Sequence, residues 1–168
     1  KFILHTHGDV KINLEVVFMA KILIVEDNTD TNEALSEYLQ EAGHEIMSAY
    51  DGTDALELFS NNTVDLIVLD IMLPTMSGLA VLNAVRKTSQ IPVIMLTALE
   101  DEYTQVSSFD CLADDYMTKP FSMVVLGKRI TALLRRAGVK DEPNIWKYGD
   151  LTVDFSGYSA CNQNGKVD

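Results

Sequence analysis

Cysteine is almost absent: Cys111 and Cys161 are the only two in 168 residues, far apart and in no C-x-x-C or Cys/His spacing. Neither a disulfide framework nor a zinc site is signalled, and a reducing cytoplasm fits. Basic residues are scarce as well. Thirteen Lys and Arg stand against 25 Asp and Glu, a formal charge of −12, which repels phosphate backbones and anionic membranes unless the cations gather on one face. No apolar run nears the ~20 residues that span a bilayer. Residues 1–18 are broken by charges where a signal peptide carries an apolar core. No internal repeat, low-complexity tract or G-x-x-x-x-G-K-[ST] phosphate loop occurs. A membrane span, a zinc module, binding to nucleic acid by charge and direct use of ATP are thereby excluded as expectations.

What is there alternates. Apolar runs at 20–25, 45–49, 65–70, 92–97 and 115–118 read as strands. Between them lie segments of helical period: Ala34, Leu35, Tyr38, Leu39 and Ala42; Ala55, Leu56 and Phe59; Leu79, Leu82 and Val85; and, after the last strand, Leu126, Ile130, Leu133 and Leu134. Asp51, Ser77 and Ser122 stand where N-caps belong, and Gly43 where the first helix stops. A fourth helix around 100–109 has the weakest pattern, Tyr103, Val106 and Phe109. Five strand–helix alternations, with the first, third and fourth strands apolar throughout, predict an α/β fold: a doubly wound five-stranded parallel sheet. It spans residues 19–137, with a linker at 138–146 rich in charge, glycine and proline. Residues 147–168 carry short strand-like pieces and turns, the start of a small antiparallel sheet. Residues 1–18 fit no part of the alternation. Met19 directly precedes the first strand and is the expected natural start, with 1–18 extraneous or an atypical extension.

Ligands of doubly wound sheets bind beyond the carboxyl ends of the strands. The first strand ends at Glu26-Asp27, the third at Asp70, the fourth at Thr97, and the fifth is followed by Lys119-Pro120. With the strand order 2-1-3-4-5, taken over from folds of this class, Glu26, Asp27 and Asp70 converge. A single carboxylate at a strand end is more often a helix cap. Three together are costly, since a like-charge pair 4 Å apart costs about 4 kcal/mol at an effective dielectric of 20. A hard divalent ion is the natural occupant, and a partial carboxylate set completed by water and phosphate suits Mg²⁺ better than a calcium cage. A carboxylate beside Mg²⁺ and the Lys119 ammonium can attack phosphorus and form an acyl phosphate, with Thr97 donating a hydrogen bond to it. Met72, Met95 and Met117 read as core filler, and His5, His7 and His44 as surface residues.

Glu26-Asp27, "DIMLP" from Asp70, "PVIMLTA" around Thr97 and "ADDYMTKPF" at 113–121 together strongly resemble the receiver domain of bacterial two-component response regulators over about residues 20–137. The resemblance implies a flavodoxin-like receiver in which Asp70 accepts phosphate from a sensor histidine kinase. Mg²⁺ is then held by Glu26, Asp27, Asp70 and the backbone carbonyl of Met72. Thr97 and Tyr116 form a coupled switch, Lys119 contacts phosphate, and the Lys119-Pro120 bond is cis. Such a domain is a phosphoacceptor, not an enzyme, beyond self-phosphorylation from small donors and autodephosphorylation. The tail, "YGDLTVD" then "NGK", is similar to the opening strands of the winged-helix DNA-binding domain of OmpR/PhoB-type regulators. DNA binding would therefore belong to the intact protein alone.

The same resemblance implies a homodimer through the fourth helix, fifth strand and fifth helix. Asp115 and Arg129 match one ionic pair of that face; the positions of another hold Gln105 and Val125, so both its partners are missing. Met123-Val124-Val125-Leu126 predicts a more apolar, less ionic face. Leu112 stands where glycine is usual. Two rivals are a phosphorylation-independent scaffold and an aspartate-nucleophile phosphatase. The latter wants a second acid two residues after Asp70, where Met72 stands.

Overall fold

The computed structural model describes residues 19–98 and 112–138 in full, together with the backbone of the strands at 2–5, 11–14, 145–148, 151–154, 159–162 and 165–167. The helix expected around 100–109, with Gln105, and also His7 and Cys111, lie outside the described residues. In chain order the elements are β1 (Phe2–His5), β2 (Lys11–Leu14), β3 (Lys21–Val25), α1 (Thr29–Glu41), β4 (Glu45–Ala49), α2 (Gly52–Asn61), β5 (Leu66–Asp70), α3 (Gly78–Arg86), β6 (Val93–Thr97), β7 (Asp115–Thr118), α4 (Met123–Arg136), β8 (Ile145–Tyr148), β9 (Leu151–Asp154), β10 (Ser159–Asn162) and β11 (Gly165–Val167). Helix α4 is the one the sequence reading counts fifth.

Residues 19–139 form one compact unit, and residues 1–18 with 140–168 another. In the first, five parallel strands run in the order β4-β3-β5-β6-β7, which is 2-1-3-4-5 within the unit. The three inner strands are the three uninterrupted apolar runs. All five residues of β5 and of β6 are buried, whereas the edge strands β4 and β7 are only partly so. Alternation along the strands builds two cores. Ile22, Ile24, Leu66, Val68, Ile94 and Leu96 face Leu35 and Leu39 of α1 and Leu126, Ile130, Leu133 and Leu134 of α4. Leu23, Val25, Ile67, Leu69, Val93 and Met95 face Ala55 of α2 and Val81, Leu82 and Val85 of α3. Truncating one of these buried leucines or isoleucines to alanine costs about 2–5 kcal/mol.

Helix ends follow local chemistry. Asn28, Asp51 and Ser77 each accept a hydrogen bond from a first-turn N–H, while Ser122 makes no such side-chain bond. Gly43, at φ 92°, ends α1: its N–H reaches the Gln40 carbonyl at 2.9 Å and that of His44 the Leu39 carbonyl at 3.1 Å, a Schellman arrangement. No helix among the described residues is long and apolar enough to cross a membrane.

In the other unit β1 and β2 pair antiparallel, and β8 to β11 form an antiparallel sheet in the order β11-β10-β9-β8. Strand β8 begins at Ile145, two residues inside the stretch expected as linker.

Candidate functional site

Three strand ends make the site. Glu26 follows β3 and is 1% exposed; Asp70, the last residue of β5, is 4% exposed; Asp27 faces solvent. One carboxylate oxygen from each lies within 4.8 Å of the other two. From the far side of the sheet end, Lys119 places its Nζ 2.5 Å from Glu26 Oε2 and 2.5 Å from Asp70 Oδ2. Its own backbone N–H donates to the Thr97 carbonyl at 2.7 Å, and the Lys119-Pro120 bond is cis. Asp70 Oδ1 accepts the Met72 N–H at 3.0 Å.

Burial pushes the Glu26 carboxyl above its ordinary value. The Lys119 hydrogen bond pulls it back and the neighbouring Asp70 charge adds to the push. For Lys119 burial opposes the charge, but the hydrogen bonds its ammonium donates to Asp70 and Glu26 outweigh it, and the ammonium titrates above its ordinary value. Among the described residues, one ammonium therefore serves two buried carboxylates, and Asp27 beside them has no ion pair of its own. The unspent negative charge and all-oxygen donor set fit a hard divalent cation. Chemically, the arrangement offers a carboxylate nucleophile flanked by positive charge.

Two backbone features hold the loop after Asp70. Met76 N–H donates to the Pro74 carbonyl at 2.7 Å across Thr75, whose φ is +62°. A three-residue turn of that hand is rare and strained, more so for a β-branched residue. Gly78 N–H returns to the Ile71 carbonyl at 2.9 Å, so closely that a Cβ on Gly78 would stand 1.9 Å from the Asp70 carbonyl oxygen. Behind Glu26, the buried Asn32 amide donates to the carbonyls of Glu26 (3.0 Å) and Ala49 (3.1 Å), tying the ends of β3 and β4 to α1. Sequence reasoning passed over Gly78, Thr75 and Asn32. A glycine in a first helical turn and an asparagine on an apolar helix face were the signals available.

Thr97 is fully buried, and Tyr116 is half-buried against the core between the sheet and α3. Tyr116 is in register with Met95, two residues before Thr97 on β6, so strand alternation puts Thr97 and Tyr116 on one face as diagonal neighbours. Asp115 and Arg129 pair within the chain, Nη1 to Oδ1 at 2.6 Å. Val124 and Val125 are 59% and 45% exposed. Arg86 bonds Asp114 and the carbonyls of Leu112 and Ile91 at 2.7–2.8 Å, and Asp114 accepts the Val93 N–H. Asp114 thus clamps this segment, and Leu112, two residues before it, is 38% exposed. Two expectations are corrected. Met95 and Met117 are core residues, but Met72 is 61% exposed, because it lies beyond the strand end where alternation no longer applies. His44 is half-buried, its Nδ1 enclosed without a hydrogen-bond partner, because the turn at Gly43 folds the chain back toward β4.

The chain matches the response regulator receiver domain family over residues 22–131. Response regulator RR06 of Streptococcus pneumoniae is 45% identical over 147 residues, covering 88% of this chain and 67% of that protein. Among curated relatives at this level of identity the chain spans about 60–67% of their length. The crystal structure of DrrB, a Thermotoga maritima OmpR/PhoB homolog, superposes with TM-score 0.63 at 30% identity, over 89% of this chain and 66% of that one. TrrA of the same organism, solved in complex with Mg²⁺ and BeF, gives TM-score 0.63 at 38% identity over 68% of this chain and 99% of that one. With the sheet order, the acidic strand ends and Lys119 in their places, the chain belongs to the receiver domain family of response regulators and resembles those of OmpR/PhoB type.

Proposed function

We propose that this receiver accepts a phosphoryl group on Asp70 from a phosphohistidine of a sensor histidine kinase in the cytoplasm. The observation that carries the reading is the meeting of Glu26, Asp27 and Asp70 within 4.8 Å, with Lys119 against two of them. An Asp70 carboxylate oxygen forms the new P–O bond while the P–N bond breaks. The electron pair leaves on the imidazole nitrogen, which takes a proton from solvent. Glu26, Asp27, Asp70 and the Met72 carbonyl are the groups that would hold Mg²⁺. When bound, it neutralises charge on the phosphoryl oxygens. Lys119 orients the acceptor carboxylate and then the phosphoryl group.

Phosphorylation replaces one charge by about −1.5 to −2 and adds three acceptor oxygens. Thr97 is drawn toward them and Tyr116 follows along their shared face. Moving such an equilibrium from 1:99 to 99:1 takes about 5.5 kcal/mol, within reach of an ion pair and one or two charge-assisted hydrogen bonds. The output is a homodimer through the β7–α4 face. Exposed Val124 and Val125 support an apolar seam there, while Gln105 lies outside the described residues. In the intact protein dimerisation raises DNA affinity by avidity.

Gel filtration with Mg²⁺, with and without beryllofluoride, tests the reading. The switch predicts a dimer only when both are present. A phosphorylation-independent scaffold predicts the same mass throughout, including for Asp70→Asn.

A further inference from the structure

We propose that Gly52, the first residue of α2, is a positioning residue for the cation site, acting through Met76 on the loop that carries the Met72 carbonyl; this rests on the cation reading above. A Cβ on Gly52 would lie 2.8 Å from the Met76 carbonyl oxygen, 2.9 Å from Met76 Cβ and 2.9 Å from Val81 Cγ2. All three are closer than folded proteins tolerate, and the first is backbone, which no rotamer change can move. Helix α2 therefore seats its opening turn directly on the loop, although glycine in a helix costs about 1 kcal/mol relative to alanine. The loop has little slack to absorb a push. It is pinned at one end by the Met72 N–H on Asp70 Oδ1, at the other by the Gly78 N–H on the Ile71 carbonyl, and between them by the Met76 N–H on the Pro74 carbonyl. Displacing Met76 shifts Met72, four residues earlier in the same clamped segment. None of the three atoms nearest a Cβ on Gly52 belongs to a carboxylate of the cluster; its action is to let α2 hold the loop where the carbonyl belongs.

The test compares Gly52→Ala with Gly127→Ala, a helical glycine whose added Cβ meets the far end of the Tyr38 side chain at 3.0–3.5 Å. Calorimetric titration gives the Mg²⁺ Kd, and thermal unfolding in chelator gives metal-free stability. Gly127→Ala keeps the wild-type Kd. Gly52→Ala unfolds cooperatively in chelator yet binds Mg²⁺ about 10- to 100-fold more weakly, the loss typical when a ligand's support is disturbed. An unchanged Kd in Gly52→Ala, whatever its melting temperature, overturns the proposal and leaves Gly52 a packing residue. Should Gly52→Ala fail to fold, Gly52→Ala/Val81→Ala relieves the α3 side while keeping the Met76 contact, and the same two outcomes decide. Wild-type protein that binds no Mg²⁺ contradicts the cation site itself, a separate result from an unchanged Kd.

Discussion

Gly78 lies directly against Asp70: a side-chain carbon on it would stand 1.9 Å from the Asp70 carbonyl oxygen, backbone against backbone. The first turn of α3 and the end of β5 meet there only because no Cβ intervenes. Gly78→Ala is expected to destabilise by about 3 kcal/mol, at the upper end of overpacking costs, and to abolish beryllofluoride binding in whatever fraction remains folded. Urea unfolding and fluoride-complex formation read the two effects.

Charge crowding sets the sign of a second prediction. Asp27 is exposed and brings a third negative charge to within 4.8 Å of two buried carboxylates. Asp27→Asn is expected to stabilise the protein in chelator, by less than about 1 kcal/mol since solvent screens the exposed group, read as a higher melting temperature. In excess Mg²⁺ the order reverses, because the wild type gains more from the ion. A variant less stable than wild type in both conditions counts against repulsion in the cluster.

Thr75 carries the strain of its turn with φ at +62°. Such a conformation costs of order 1–3 kcal/mol in a non-glycine residue, and glycine returns part of that gain through its freer unfolded chain. Thr75→Gly is expected to stabilise by about 0.5–1.5 kcal/mol, read from the denaturation midpoint at unchanged slope.

The alternation of apolar runs was enough to locate the sheet. Glu45–Ala49 and Asp115–Thr118 coincide with their runs, and Leu126, Ile130, Leu133 and Leu134 are all buried as their spacing implies. The carboxylates were legible because three charges at strand ends are hard to explain otherwise. Gly52 and Gly78 were not, since each acts through the side chain it lacks and periodicity weighs only side chains that are present. Asn32 was hidden for a related reason: a polar residue on a buried helix face satisfies carbonyls that only the fold brings near. Met72 and His44 were misassigned where the chain leaves its regular element.

His44 supplies the pH dependence. Burial holds its imidazole below the ordinary value, with Nδ1 unpartnered. Above the ordinary histidine range both folded and unfolded states are neutral. As pH falls through that range the unfolded chain takes up a proton that the native state resists, so stability is lost on acidification. His44→Leu is expected to flatten this part of the stability profile between about pH 7 and pH 5. An identical slope in variant and wild type contradicts the prediction.

Whether Asp70 is the acceptor at a cation-bound carboxylate cluster is decided by intact-mass measurement after incubation with acetyl phosphate. Wild-type protein is expected to gain one phosphoryl group that requires Mg²⁺, is removed by hydroxylamine as an acyl phosphate must be, and is absent from Asp70→Asn. A phosphoryl gain that persists in Asp70→Asn, or none in the wild type with Mg²⁺ present, would contradict it.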